Sequence, residues 1–395
     1  MSSTNLVETF PAPTPAASLV FTTALSQGPL SRVEIARRTG LSSAAVTKAV
    51  RPLMETGYFV EEADGSTPPS VGRPANPVRV NGGRALFIGV KVTADEVIAV
   101  LADLCCRVRV ARHVPLTERS PGAVISVIAA LTGELVTRAQ PFGVGVRGLA
   151  VAVSGDVDRA AGVVRYSPFL GWRNVALAGL AETATGLPAT VDNDVRALTV
   201  AEQWFGAGVG RSDFALVTVG AGIGCGLVVH GRVVAGAHGV AGEIGHLSID
   251  PHGPLCHCGN RGCVEAIASD SAIVRRIQQE TGQPVGGPAH ALELARSGEP
   301  VAREAFALAG AAIGRAIGAV ANLLGPECVI ISGEGLAAYD LFAAQIRDAF
   351  AATVFSTAAH CDVITRPLPF EEWARGAAAT AIQTFIGSDT IKENR

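Results

Sequence analysis

Three cysteines, Cys256, Cys258 and Cys263, fall within eight residues, the densest grouping of metal-binding side chains in the chain. Three thiolates and one imidazole are a common tetrahedral zinc set, and a shell made wholly of protein groups marks a structural ion. Gly259 and Gly262 allow the chain to curl around such an ion. His246, His252 and His257 all lie near. A residue wedged between two ligating cysteines, as His257 is, directs its side chain away from the metal, which favours His246. Eight cysteines in 395 residues are too few for a disulfide scaffold, and in a reducing compartment this cluster points to metal. The expectation is one structural zinc per chain.

A second group is suited to ligand chemistry. Asp192-Asn193-Asp194 stands where a strand gives way to a helix, the edge at which α/β sheets bind ligands. A carboxylate there can accept hydrogen bonds from a sugar hydroxyl, or act as general base in phosphoryl transfer. Helix capping favours the same residue types at that position and alone explains them better. Glu243 and Glu265 flank the cysteine cluster and could extend a polar pocket, although each alone reads as a surface charge. Gly220-Ala221-Gly222-Ile223-Gly224-Cys225-Gly226 follows a strand. It either presents amides to a phosphate or makes a glycine-rich hairpin turn.

A third group is suited to nucleic acid. Ser43, Thr47 and Arg51 recur every four residues with Lys48 beside them, opposite the apolar face Val46, Ala49, Val50 and Leu53. Helix–turn–helix modules set such a polar face in the DNA major groove. Residues 16–60 carry five basic and two acidic side chains, whereas the whole chain has a net charge of −3. Arg73, in Gly72-Arg73-Pro74, is placed to enter a minor groove. An ordinary amphipathic pair of helices would show the same periodicity; the added break and wing favour DNA. Pro52 counts against the helix and predicts that it ends or kinks at Arg51.

The elements that must position these groups follow from the pattern. Ser31 and Glu34 form a capping box, Thr39-Gly40-Leu41 breaks the chain, and Ser42 caps the next helix. Residues 58–60 and 78–80 flank a Ser/Pro/Gly-rich loop as strands. From residue 83 onward strands and helices alternate, with strands at 87–90, 97–101, 149–153, 216–219, 226–229 and 328–331. Long apolar helical character covers 306–324. At 48% hydrophobic and 17% charged residues the chain can bury a large core and is not disordered. Its slight acidity excludes a wholly basic nucleic-acid coat. Two stretches without charged residues, 9–31 and 214–231, are broken by proline or glycine and do not read as membrane spans. No secretory signal is visible, so the cytoplasm is expected.

Taken together, these features resemble the ROK (repressor, open reading frame, kinase) family, in its transcription-regulator branch. The resemblance runs from about residue 16 to 386. Its most specific part is Gly242-Glu243-Ile244-Gly245-His246 followed by the Cys-x-Cys-Gly-x-x-Gly-Cys run and Glu265, supported by Gly171-Trp172, Asn193-Asp194 and Ile331-Ser332-Gly333. It implies an N-terminal winged helix-turn-helix followed by a two-lobed actin-like (ribonuclease H-like) domain of the sugar-kinase type, α/β in class. The boundaries expected are a flexible arm over 1–15, the winged helix over 16–81, a first lobe over 82–205, a second lobe with the zinc loop over 206–387, and a tail over 388–395. The last helix of the second lobe is free to return to the first. The resemblance also implies zinc on His246, Cys256, Cys258 and Cys263. It implies sugar contacts from Asn193, Asp194, Glu243, His246 and Glu265, with Asp194 in the place of the kinase branch's catalytic base.

The departures decide between branches. Family kinases begin with Asp-x-Gly-Gly-Thr, which holds ATP phosphates and magnesium. This chain has Lys91-Val92-Thr93-Ala94-Asp95, with a lysine for the carboxylate and side chains at both glycines. Ala221 and Cys225 alter the second loop, and Phe169 stands where many members have Asn, which bears on the sugar accepted. The expectation is therefore no enzyme. It is a sugar-responsive repressor of carbohydrate-utilisation genes that binds operator DNA as a homodimer or a dimer of dimers. DNA contacts are expected from Ser43, Thr47, Lys48, Arg51 and Arg73. The competing readings are a ROK-type sugar kinase with an appended DNA-binding module, and a zinc-stabilised interaction protein.

Overall fold

In the computed structural model the described residues are 10–11, 14–62 and 76–387, so Arg73 and the tail beyond residue 387 lie outside them. Thr14 caps α1 (Pro15–Gln27). At α2 (Arg32–Thr39) the Ser31 hydroxyl accepts from the Glu34 amide at 3.2 Å, and Glu34 Oε2 accepts from the Ser31 amide at 2.8 Å. This reciprocal pair satisfies two helix-terminal N–H groups. Gly40, at φ 69°, makes the left-handed break that a side chain would resist. Ser42 caps α3 (Ser43–Glu55), whose buried face is Val46, Ala49, Val50 and Leu53. Strands β1 (Phe59–Glu61) and β2 (Val78–Val80) pair antiparallel, with Phe59 opposite Val80.

Of the two outcomes expected at Pro52, an end or a kink at Arg51, the end is corrected, because α3 runs on to Glu55. Proline costs a hydrogen bond to the carbonyl four residues back, here that of Lys48, which lies on the exposed face. Leu53, fully buried one residue later, holds the last turn against the module's core.

The chain divides into two compact units, Met1–Gly210 with Glu371–Arg395, and Arg211–Phe370. In the first, β3 (Leu86–Val92), β4 (Glu96–Asp103), β5 (Val108–Pro115) and β6 (Val146–Val153) belong to one five-stranded sheet. Helix α4 (Pro121–Ala139) packs Val124, Ile128, Leu131 and Leu135 into the core beside it. A small antiparallel sheet follows, of β7 (Asp156–Asp158), β8 (Val163–Ser167) and β9 (Trp172–Val175). Helix α5 (Leu177–Thr185) leads to β10 (Ala189–Asn193), which completes the larger sheet in the order β10-β6-β3-β4-β5, and α6 (Asp194–Phe205) begins at once. Strands β10, β6 and β3 run parallel. Their carboxyl ends therefore share one edge, where Asn193 lies opposite Val153 and Lys91 opposite Ala152.

The second unit carries β11 (Phe214–Val219), β12 (Ile223–Val229) and β13 (Arg232–Val233). Its helices are α7 (Val264–Ala268), α8 (Asp270–Thr281), α9 (Pro288–Ser297) and α10 (Pro300–Leu324). Strand β14 (Cys328–Ser332), α11 (Tyr339–Thr353) and β15 (Asp362–Thr365) complete a sheet ordered β13-β12-β11-β14-β15. Helix α10 is apolar along its length because it is the core helix, with Ala305, Ala309, Ile313 and Ile317 fully buried.

The chain then returns to the first unit as α12 (Glu371–Phe385). A methyl group on Gly89 of β3 would overlap the Ala374 carbonyl and the Ala378 amide, and one on Gly376 would sit 2.8 Å from the Leu198 amide of α6. Absence of side chains at these two points is what lets sheet and helices touch backbone to backbone. The expected arm over 1–15 ends in packed structure. The Phe10 ring stands 4.9 Å from Phe21, 5.5 Å from Tyr58 and 5.9 Å from Phe385, so the winged module and α12 share a core.

Gly89→Ala is expected to lower stability by the upper end of the roughly 1–3 kcal/mol typical of overpacking, or more, because the obstructing atoms are backbone. Gly133 of α4 has open space around it, so Gly133→Ala should instead add about 0.4–1 kcal/mol. Urea unfolding of both variants followed by tryptophan fluorescence checks the contrast.

Candidate metal centre and ligand site

The candidate metal loop is stapled locally. Ser248 bridges Cys263 and Leu255 bridges Arg261 as short antiparallel contacts. At Gly262, φ 63°, a side chain would overlap the Asp250 carbonyl, so only glycine brings Cys263 back under the loop. One donor atom from each of His246, Cys256, Cys258 and Cys263 lies within 4.8 Å of all the others. Cys258 Sγ is 3.7 Å from Cys263 Sγ, and Cys256 Sγ is 3.6 Å from His246 Nδ1. A tetrahedral ion about 2.3 Å from sulfur and about 2.0–2.1 Å from nitrogen would separate its ligands by about 3.8 Å (S–S) and about 3.6 Å (S–N). The four residues thus form a candidate metal site with the dimensions of a tetrahedral shell.

His257 stands outside this four-residue group, with Nε2 2.8 Å from Glu265 Oε1. The other oxygen of Glu265 accepts from the Ile223 amide at 3.1 Å, which ties α7 to the glycine hairpin. His246, Cys256, His257 and Glu265 form a second, overlapping group of donor atoms. Glu243 Oε2 is 4.0 Å from His246 Nε2, the ring nitrogen not directed at Cys256. The amides of the glycine turn between β11 and β12 are not all available to an anion, since the Ala221 N–H donates to Glu334 Oε1 at 2.9 Å. Nothing about Glu334 in the linear sequence singled it out; the fold carries it there on the turn that follows β14.

In the first unit Asn193 is a cap in fact: its Oδ1 accepts from the Arg196 amide at 3.1 Å while its Nδ2 donates to the Gly155 carbonyl at 3.0 Å. Asp194 is buried, and its Oδ2 accepts from Lys91 Nζ and from the Ser154 hydroxyl, the latter at 2.6 Å. Its Oδ1 accepts from the Val195 amide at 2.9 Å. Burial pushes the Asp194 carboxyl up, but the Lys91 ammonium and the hydrogen bonds outweigh it and hold the group below the usual carboxylate range. Lys91 is itself only 4% exposed, with its ammonium 5.3 Å from the centre of the Trp373 ring on α12. Asp95, in contrast, is exposed and pairs with Arg119 at 3.1 Å. Sequence reasoning read Lys91 as the loss of a carboxylate and missed its partners, because Ser154, Asp194 and Trp373 are far from it along the chain.

Ser43, Thr47, Lys48 and Arg51 are all exposed on one side of α3, and Arg51 Nε donates to Glu55 Oε1 at 2.7 Å.

Known proteins agree with this architecture. The ROK family model matches residues 87–384, and a winged helix-turn-helix DNA-binding model matches residues 24–60. The chain is 31% identical over 315 residues to the N-acetylglucosamine repressor of Escherichia coli O157:H7, covering 78% of this chain and 77% of that protein. A crystal structure of a ROK family transcriptional regulator, a homologue of the E. coli MLC protein, superposes with a TM-score of 0.77 at 26% identity, covering 94% of this chain and 97% of that one. A ROK family glucokinase from Streptomyces griseus, solved with glucose and AMPPNP, superposes at 0.64 with 29% identity over 75% of this chain and 99% of its own.

Lys91→Met should leave Asp194 as an uncompensated buried charge and cost roughly 3–5 kcal/mol at pH 7. Lys91→Met with Asp194→Asn should recover most of that loss. The sign of the pH dependence follows from the carboxyl. In the wild type its folded value is depressed, so the contribution is present above the unfolded value of about 3.9 and is lost only below it. In Lys91→Met burial is opposed only by the Ser154 and Val195 hydrogen bonds and raises the folded value, so the deficit is full at neutral pH and narrows as pH falls toward about 4. Unfolding curves at pH 7 and pH 5 test both statements.

Proposed function

The chain belongs to the ROK family, and on that premise we propose that it is a sugar-responsive transcriptional regulator, acting as a repressor of carbohydrate-utilisation genes. The observation that carries this is the joining of a winged helix-turn-helix, with the polar face of α3 exposed, to a ROK domain whose Asp194 is held by a buried lysine. A general base must be free to take a proton at a substrate hydroxyl; a carboxylate already accepting from Lys91, Ser154 and Val195 is poorly placed to do so. The occupied Ala221 amide argues in the same direction for the phosphate loop.

In this reading α3 enters a major groove of operator DNA, with contacts from Ser43, Thr47, Lys48 and Arg51 and with Arg73 reaching a minor groove. Two half-sites call for a homodimer, or a dimer of dimers, working in the cytoplasm. Family resemblance assigns sugar contacts to Asn193, Asp194, Glu243, His246 and Glu265. The metal is zinc, held by His246, Cys256, Cys258 and Cys263, and it ties the loop's two strands together; support comes from the donor set and its spacing. His246 then binds metal through Nδ1, which leaves Nε2 toward Glu243.

Likeness to a glucokinase favours a second reading, a sugar kinase with an added DNA-binding module. Recovering the genomic DNA bound by the chain, then titrating glucose and N-acetylglucosamine against that complex, tests the first reading. Phosphate release from ATP with the same sugars tests the second. Sugar-dependent turnover with no retained DNA would reverse the assignment.

Two further outcomes are expected. Arg51→Ala should weaken binding to the recovered DNA roughly 5- to 150-fold if Arg51 reads a base, whereas Lys48→Ala should mainly flatten the salt dependence; gel shifts across salt concentrations separate them. Chain purified without added metal should contain one zinc, and Cys258→Ser should lose it together with thermal stability of the loop unit, as metal analysis and melting curves would record.

A further inference from the structure

We propose that Lys91 is the residue that senses occupancy of the Asp194 site, and that α12 carries its state to the winged helix. The proposal rests on the regulator reading above and names the device by which it would work. Three of the roughly four acceptor positions of Asp194 are taken: Lys91 and Ser154 share Oδ2, and Oδ1 takes the Val195 amide. A ligand hydroxyl that donates to Oδ2 must compete with Lys91 and Ser154. The ammonium, which also donates to the Ser154 hydroxyl at 3.1 Å, is too buried to retreat into water. Its other neighbour is the face of Trp373, an aromatic surface that attracts a cation. Weakening the pair therefore shifts the load from Asp194 toward the first turn of α12.

Helix α12 suits transmission because it cannot give locally. Its backbone touches β3 at Gly89 and α6 at Gly376. Trp373 and Phe385 are twelve residues apart, about 18 Å of helix. At the far end Phe385 packs on Phe87 at 5.3 Å, on Phe10 at 5.9 Å and on Tyr58 at 6.3 Å. The next residue, Ile386, accepts from the Ser18 hydroxyl of α1 at 3.1 Å. A second strut reaches the same end, since Arg159 donates to Asp192 at 3.1 Å and to Gln383 at 2.9 Å. Two residues of the ligand edge, Asp192 and Asp194, thus bear on the two ends of one helix, and the winged helix is fastened to the far end. A ligand shifts the module only by binding one arrangement of this helix more tightly than the other.

The test uses the full chain. Lys91→Met with Asp194→Asn removes both charges and should mimic occupancy without sugar. Amide hydrogen exchange should quicken at least tenfold at Thr384–Gly387 and in α1, while β6 and β10 keep wild-type protection and zinc content stays unchanged. Affinity for the recovered genomic DNA should fall roughly 5- to 150-fold, the span of ordinary allosteric coupling. Trp373→Leu, which leaves the ion pair intact, should give the same local pattern and carries the test if the double variant does not fold. Wild-type exchange at the α12 terminus and α1 in these variants overturns the proposal, and so does uniform quickening through the unit, which would mark a structural pair only. A wild-type chain that retains no DNA overturns the regulator reading instead, and the exchange pattern still decides the coupling.

Discussion

A lysine ammonium and a carboxylate withdrawn from water persist only as each other's partners, because either one alone would carry a desolvation cost of several kcal/mol. That constraint ties the first unit together. Lys91 is the penultimate residue of β3, Ser154 follows β6, and Asp194 opens α6 directly after β10. The three parallel strands must keep their register for these side chains to meet. The pair sits at the sheet edge that an α/β protein uses for ligands.

The winged helix-turn-helix is not a separate bead on this scaffold. Phe10, Phe21, Tyr58 and Phe385 form edge-to-face and stacked contacts that bury the module's aromatic face against the last helix of the chain. Such rings contribute by area and by geometry, so a small rotation of one costs contacts on several sides at once. The second unit uses a different economy: backbone bridges and one obligatory glycine bring four donor atoms together. Glu265 then links that loop to the glycine hairpin through the Ile223 amide.

Residues that the linear sequence passes over, or reads as obstacles, are accommodated by the fold. Glu334 follows the Ile331-Ser332-Gly333 motif and caps the Ala221 amide. Pro52 sits inside a helix that continues past it, since the carbonyl it deprives of a donor belongs to exposed Lys48 and the buried Leu53 secures the turn. Local propensity gives way here to tertiary packing.

Much was legible in the sequence, for identifiable reasons. Caps, glycine breaks and apolar periodicity are local, so Ser31 with Glu34, Ser42, Gly40 and the buried face of α3 could be read directly. The candidate metal loop could be picked out because its cysteines are close in sequence and three thiols with an imidazole suit few other roles. The family followed from those motifs and is borne out across residues 87–384. What the sequence could not determine are pairings set by strand order and by the return of the last helix. Lys91 and Asp194 are 103 positions apart, and the linear pattern shows a lysine in place of a carboxylate without showing what neutralises it. Phe10 reads as part of a loose arm until α12 comes back to cover it. Contacts of this kind arise from burial that several distant segments supply together, and only the tertiary structure decides which buried charge or ring each one meets.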